Sequence, residues 1–176
     1  MLRILGSSQS EGFSIFFSRS VFDLLPIHST PMITYNAQST LFPRLDQSAT
    51  TAWLTRVAQH YGRRIGQVNY IFCTDAEILD INRRYIGHDY YTDHIGFDYS
   101  RGDLLSADIY IGLETVRSNA RLYADPATPP DAALDAEFHR VLAHGLLHLV
   151  GIDDATPEER AQMQAAEDEA LRMWAQ

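Results

Sequence analysis

The sequence predicts one mixed α+β domain, a small mixed sheet packed against helices, spanning residues 32–176. Three observations carry this. The chain has 176 residues, and single domains commonly run to ~100–200. From Met32 onward, short runs rich in β-branched and aromatic residues are interleaved with helical patterns without strictly alternating with them, which suits a mixed sheet. Residues 131–150 also keep an apolar stripe at i, i+3/i+4 spacing, long enough for a central helix.

The elements follow in order. Residues 1–31 mix Ser, Gly and scattered aromatics without a sustained period and end between Pro26 and Pro31. They read as a mobile extension or an upstream start, with Met32 as an alternative first residue. Residues 32–36 alternate as a first strand, and Gln47 to Tyr61 form a helix closed by Gly62. Val68 to Cys73 is a short buried strand, after which Asp75 is expected to cap a helix carrying Ile78, Leu79 and Ile81. A loop from His88 leads into a strand ending at Phe97, and Asp103 to Ile111 gives another strand, with its apolar alternation at residues 107–111. Leu113 to Tyr123 reads as a helix, followed by a loop holding Pro126, Pro129 and Pro130. After the central helix, Thr156, Pro157 and Glu159 spell a capping box that starts the last one.

Composition narrows the function. Apolar residues make up 45% and charged residues 21%, so the chain is neither disordered nor of low complexity. All fourteen basic residues are arginine, which excludes a catalytic lysine, a Schiff base and a P-loop lysine. The net charge of −9 argues against a generic nucleic-acid or anionic-membrane binder. The imbalance is uneven, however: residues 44–121 hold nine Arg against ten acidic residues, and residues 151–176 two against seven. A basic groove in the middle of the chain therefore remains open. The single Cys73 makes no intramolecular disulfide and reads as a small core residue, and no apolar run reaches the ~18 residues of a membrane span. Arg3 and the apolar stretch 13–17 resemble a signal peptide only weakly. The expectation is a cytoplasmic protein.

The chemistry is concentrated in residues 144–154. His144 and His148, four apart on a helix, are separated by ~400° of turn and lie on one face, able to grip one metal. Gly151 is placed to end the helix and reverse the chain. Asp154, ten residues after His144, can then swing back as a third ligand. This spacing is that of the long zinc motif of metzincin proteases, whose third ligand is histidine. Those proteases carry a glutamate directly after the first histidine as general base. Here that residue is Gly145, which moves no proton.

The run from His144 to Asp154 resembles the hallmark H-G-x-L-H-L-x-G-[YF]-D-H of the YbeY family of bacterial endoribonucleases. Residues 81–97 resemble its upstream hallmark, roughly L-N-x-x-Y-R-x-x-D-x-x-T-D-V-L-S-F, and residues 107–111 its G-D-I-x-I strand. The resemblance covers about Met32 to Gln176. It implies a zinc-dependent RNA hydrolase, one zinc per chain, acting in ribosomal RNA maturation, notably at the small-subunit 3′ end, and in ribosome quality control. It implies ribosomal RNA precursor and the ribosome or small subunit as partners, and His144, His148 and Asp154 as metal ligands. Two departures stand out: Asp154 replaces the usual third histidine, as in an aspartate-using branch, and Ile86 replaces the arginine after the tyrosine. Arg83 and Arg84 lie nearby and are the candidate RNA contacts.

No general base is evident. Asp93 reads as a turn residue or one facing the cleft, Asp108 as a hydrogen-bonding residue that could orient a ligand histidine, and His139 as a packing histidine off the ligand face. His88 and His94 are not taken as ligands. Trp53 and Trp174 read as packing residues. Competing functions are a zincin-type metalloprotease, a 2-His-1-carboxylate iron oxygenase, and a non-catalytic ribosome assembly factor with a structural metal. The helical register of the histidine pair favours a zincin-like domain over the iron site, and three protein ligands leave the open position that a structural zinc normally lacks.

Overall fold

The computed structural model of the chain describes residues 3–5, 32–87 and 89–175. Among these residues five strands form one mixed sheet: β1 (Arg3–Leu5), β2 (Met32–Ala37), β3 (Arg64–Cys73), β4 (His94–Asp98) and β5 (Leu104–Gly112), in the order β1-β4-β5-β3-β2. Strands β2, β3 and β5 run parallel, while β4 lies antiparallel between β5 and β1. Five helices accompany them: α1 (Gln47–His60), α2 (Asp75–Ile81), α3 (Leu113–Tyr123), α4 (Pro130–Val150) and α5 (Pro157–Trp174). This is the mixed α+β domain that the interleaved pattern predicts.

The alternation along β5 decides which side carries the core. Leu105, Ala107, Ile109 and Ile111 are buried against the helices, with Leu142, Leu146 and Leu147 of α4 and Trp53, Leu54 and Val57 of α1. The intervening residues turn to the other face, where a smaller cluster of Cys73, Ile78, Ile95 and Phe97 forms under α2. Two buried hydrogen bonds tie helices to the frame: Trp53 Nε1 donates to Ala170 O at 2.7 Å, and the Tyr70 hydroxyl donates to Leu142 O at 2.9 Å. Helix α4 lies unusually close to the sheet at Gly145, where a Cβ would sit 3.0 Å from Ile109 Cγ2.

The structure refines several expectations. Strand β3 starts at Arg64 rather than Val68, because Gly66 crosses a bulge where an added Cβ would lie 2.6 Å from Ser106 Oγ. Helix α2 is capped by Thr74, not Asp75, in a reciprocal capping box with Glu77. The Asp75 carboxylate instead accepts from the backbone N–H and hydroxyl of Thr115, joining α2 to α3. Helix α2 runs on into a π-helical turn, Asn82–Ile86, closed by Gly87 at φ 74°. The expected dispensable extension, residues 1–31, lies outside the described residues apart from Arg3–Leu5, which pair with β4. Among the described residues no helix is long and apolar enough to cross a membrane.

Candidate metal centre

The centre is built on the C-terminal half of α4. Its apolar stripe buries the helix among α1, α5 and the sheet, which carries His144 and His148 into the interior with it. Their Nε2 atoms are 3.0 Å apart. Gly151 takes φ 109°, and the Ile152 N–H reaches back to Leu147 O at 3.1 Å, so the chain turns sharply after α4. That turn brings the Asp154 carboxylate to 3.8 Å from His144 Nε2 and 3.9 Å from His148 Nε2. Asp153 faces the other nitrogen of His148, Nδ1, at 4.0 Å and is much more exposed. Of the two aspartates, only Asp154 addresses the shared Nε2 side.

A residue that sequence reasoning set aside completes the group. His94, the first residue of β4, is fully buried, and its ring lies 4.6 Å from that of His144 and 5.4 Å from that of His148. One nitrogen from each of the three histidines falls within 4.8 Å of the other two. His94 stands fifty residues before His144, and no local spacing links them. The available signal was its place in the upstream hallmark, directly after Thr92-Asp93.

The outer side of the centre is a network of carboxylates held by one arginine. The Glu167 carboxylate of α5 lies 2.5 Å from His144 Nδ1, and Asp93 lies 3.1 Å from His94 Nδ1. Arg140, one turn before His144 on α4, donates to Glu167 at 2.9 Å, to Asp93 at 3.2 Å and twice to Glu137 at 2.8 Å. A carboxylate facing each of these Nδ1 atoms favours the tautomer with its proton on Nδ1, which leaves the Nε2 lone pair for a metal. Burial works to raise the Asp93 pKa, but the His94 hydrogen bond and neighbouring positive charge, including Arg140, more than offset it and hold it well below the carboxylate range. Burial lowers the His94 pKa, against the opposing hydrogen bond and charge of Asp93, and burial raises that of Asp154.

The donor set fits a metal. His94 Nε2 is buried with no hydrogen-bond partner, a state that costs ~1–3 kcal/mol for a polar atom and that a cation would relieve. Imidazole nitrogens and a carboxylate oxygen are ordinary zinc donors. Beside the centre opens a cleft of about 800 Å³ whose lining includes His144, Asp154, Arg140, Arg160, Glu167 and Tyr123. Arg83 and Arg84 are not among the residues lining it. They lie exposed on the π-helical turn, paired with Asp89 at 2.7 Å and Asp80 at 3.9 Å.

The remaining candidates have other work. Asp108 accepts from Asn69 and the Tyr99 hydroxyl on the far face of the sheet and orients no histidine. His139 is a packing residue, stacked on Trp174 at 4.2 Å with its Nδ1 on Asp135 O. Cys73 is buried, and burial pushes its thiol up to about 12. His88 lies outside the described residues.

Comparison with known proteins adds the family-level context. The family model described as endoribonuclease YbeY matches residues 34–175. A protein of that name from Phocaeicola vulgatus is 48% identical over 142 residues, covering 81% of this chain and 98% of the relative. Another from Bacteroides thetaiotaomicron is 48% identical over 141 residues, covering 80% and 98%. The solution structure of TM1509 from Thermotoga maritima superposes with a TM-score of 0.51 at 20% identity, covering 81% of this chain and 89% of that one, a likeness of fold.

Proposed function

The chain belongs to the endoribonuclease YbeY family, and from that premise we propose that it is a zinc-dependent, single-strand-specific endoribonuclease of the cytoplasm. Its substrate would be ribosomal RNA precursor on the small subunit, with cleavage serving 3′-end maturation and ribosome quality control. The observation that carries the metal-dependent part is the convergence of His144 and His148 Nε2 atoms with the Asp154 carboxylate beside a cleft that His144 and Asp154 help to line.

His144, His148 and Asp154 would hold the metal, with Glu167 orienting the ring of His144. When bound, zinc supplies Lewis acidity, polarising a phosphoryl oxygen and making water nucleophilic at neutral pH. The protein's own contribution is positional. Glu167 and Asp93 set the histidine tautomers, Arg140 neutralises both carboxylates, and the buried half of α4 keeps water from the back of the centre. Arg83 and Arg84 would supply phosphate contacts; their ion pairs are exposed, and such pairs are worth only ~0–1 kcal/mol, so a phosphate can displace the aspartates. RNA affinity should then fall with salt, and less steeply in the Arg83→Ala/Arg84→Ala variant.

The metalloprotease reading loses support at Gly145. The position that holds a protease's glutamate is buried against Ile109 here. The test is to incubate zinc-loaded protein, chelated protein and His144→Ala with ribosomal RNA precursor and with casein. RNA cleavage by the loaded wild type alone supports the proposal; cleavage of casein, or RNA cleavage unaffected by chelation and by His144→Ala, overturns it.

A further inference from the structure

Resting on that metal-site reading, we propose that His94 is a fourth protein ligand of the metal, binding through Nε2 alongside His144, His148 and Asp154. The family motif matched above carries valine at this position, so the assignment comes from this chain's own residue. Three independent features point the same way. His94 Nε2 is buried without a hydrogen-bond partner, although the structure otherwise satisfies the ring by placing Asp93 on Nδ1 at 3.1 Å. A histidine with a carboxylate on one nitrogen and a bare lone pair on the other is the arrangement that metal-ligating histidines adopt.

Proximity is the second feature. One nitrogen of His94 lies within 4.8 Å of a nitrogen of both other histidines, and its ring lies nearly parallel to that of His148, at 23°. Third, the support of His94 and that of His144 share one guanidinium. Arg140 donates to Asp93 behind His94 and to Glu167 behind His144. The same device orients both rings, one presented by a strand and one by a helix.

The consequence is a centre with three imidazoles on rigid elements and one carboxylate on the turn after α4. With four protein donors, this chain's own residues would meet the usual four-coordinate demand of zinc. The carboxylate of Asp154, more exposed than any of the three histidines, is the ligand nearest solvent.

Zinc affinity of the full chain, by competition with a chromophoric chelator, tests this for wild type, His94→Val, His94→Gln and His144→Ala. X-ray absorption counts imidazoles on the zinc. The wild type should show three imidazoles and His94→Val two, with an affinity loss beyond the ~10–100-fold that removal of an outer partner causes. Two imidazoles in the wild type overturn the proposal even if no variant folds. Unchanged affinity in His94→Val with a loss in His144→Ala overturns it while leaving the zinc reading intact. A wild type that binds no zinc removes both. Four protein ligands also suit a structural zinc, so the RNA-cleavage assay above judges catalysis separately from this count.

Discussion

Replacing Arg140 by methionine removes the cation that bonds Asp93, Glu137 and Glu167 beneath the centre while keeping most of the side-chain volume. The magnitude follows from what is left behind. Asp93, Glu137 and Glu167 have side chains only about 10% exposed (10%, 11% and 9%), and all three receive hydrogen bonds from Arg140. Removing one partner of a buried ion pair costs ~3–5 kcal/mol. The guanidinium itself is 26% exposed, so water moderates the loss, and ~2–4 kcal/mol is expected. For a chain of this size each kcal/mol moves Tm by ~2–4 °C, giving a fall of roughly 5–15 °C in the metal-free protein at pH 7. The sign with pH is also set. Asp93 is held below its ordinary pKa, so its stabilisation is present above ~4 and lost as pH falls further; wild type and variant should converge in acid. Zinc affinity should fall ~10–100-fold as Glu167 and Asp93 lose their anchor. Arg172→Met serves as control, because its pair with Glu169 is exposed. Differential scanning calorimetry and a chelator titration read both quantities. A Tm change under ~2 °C with unaltered zinc affinity would refute the reasoning.

Three further outcomes are expected. Asp154→Ala should weaken zinc binding without abolishing it, since three histidines would still hold the ion, and Asp153→Ala should leave it unchanged, by chelator competition on the purified proteins, because only Asp154 faces the Nε2 side of the pair; an Asp153→Ala weakened in place of Asp154→Ala would move the ligand one residue upstream. Gly145→Glu, which writes the protease motif into α4, should cost more than ~3 kcal/mol, since its Cβ meets Ile109 and its carboxylate enters the core; a folded variant that cuts casein would reverse the view of this site. Deleting residues 1–31 should shift Tm by no more than a few degrees, because the described pairing of that segment is three residues on β4 and relatives are matched nearly whole by about 142 residues of this chain; a larger drop would mean that the segment packs on the core.

Local physics wrote most of the fold legibly. The stripe on α4, the Thr156–Glu159 capping box and the span Leu113–Tyr123 each depend on residues within a turn or two of one another, and each stands in the structure as periodicity predicts. What escaped was set by contacts across the chain. The start of β3 depends on Gly66 clearing Ser106 forty residues away, and the role of Asp75 depends on Thr115. The π-helical turn at Asn82–Ile86 is anchored in part by Asn82 donating to Tyr90 O, a loop contact with no signature of its own.

The centre divides along the same line. His144, His148 and Asp154 stand within eleven residues of one helix and its reversal, so helical geometry plus one glycine brings them together, and spacing alone points to them. His94 reaches the same point only because β4 is inserted antiparallel beside β5, whose inward Ile109 carries α4 at Gly145. Arg140 shows why this half of the site could not be read from spacing. On α4 it looks like an ordinary partner of Glu137 three residues away, yet it also bonds the residue behind His94 on the sheet side and the residue behind His144 on α5. A half-buried arginine bonded to three carboxylates draws its role from the loop before β4, from α4 and from α5 together. Its sequence neighbours therefore carry no trace of the role, which only the topology that joins β4, α4 and α5 creates.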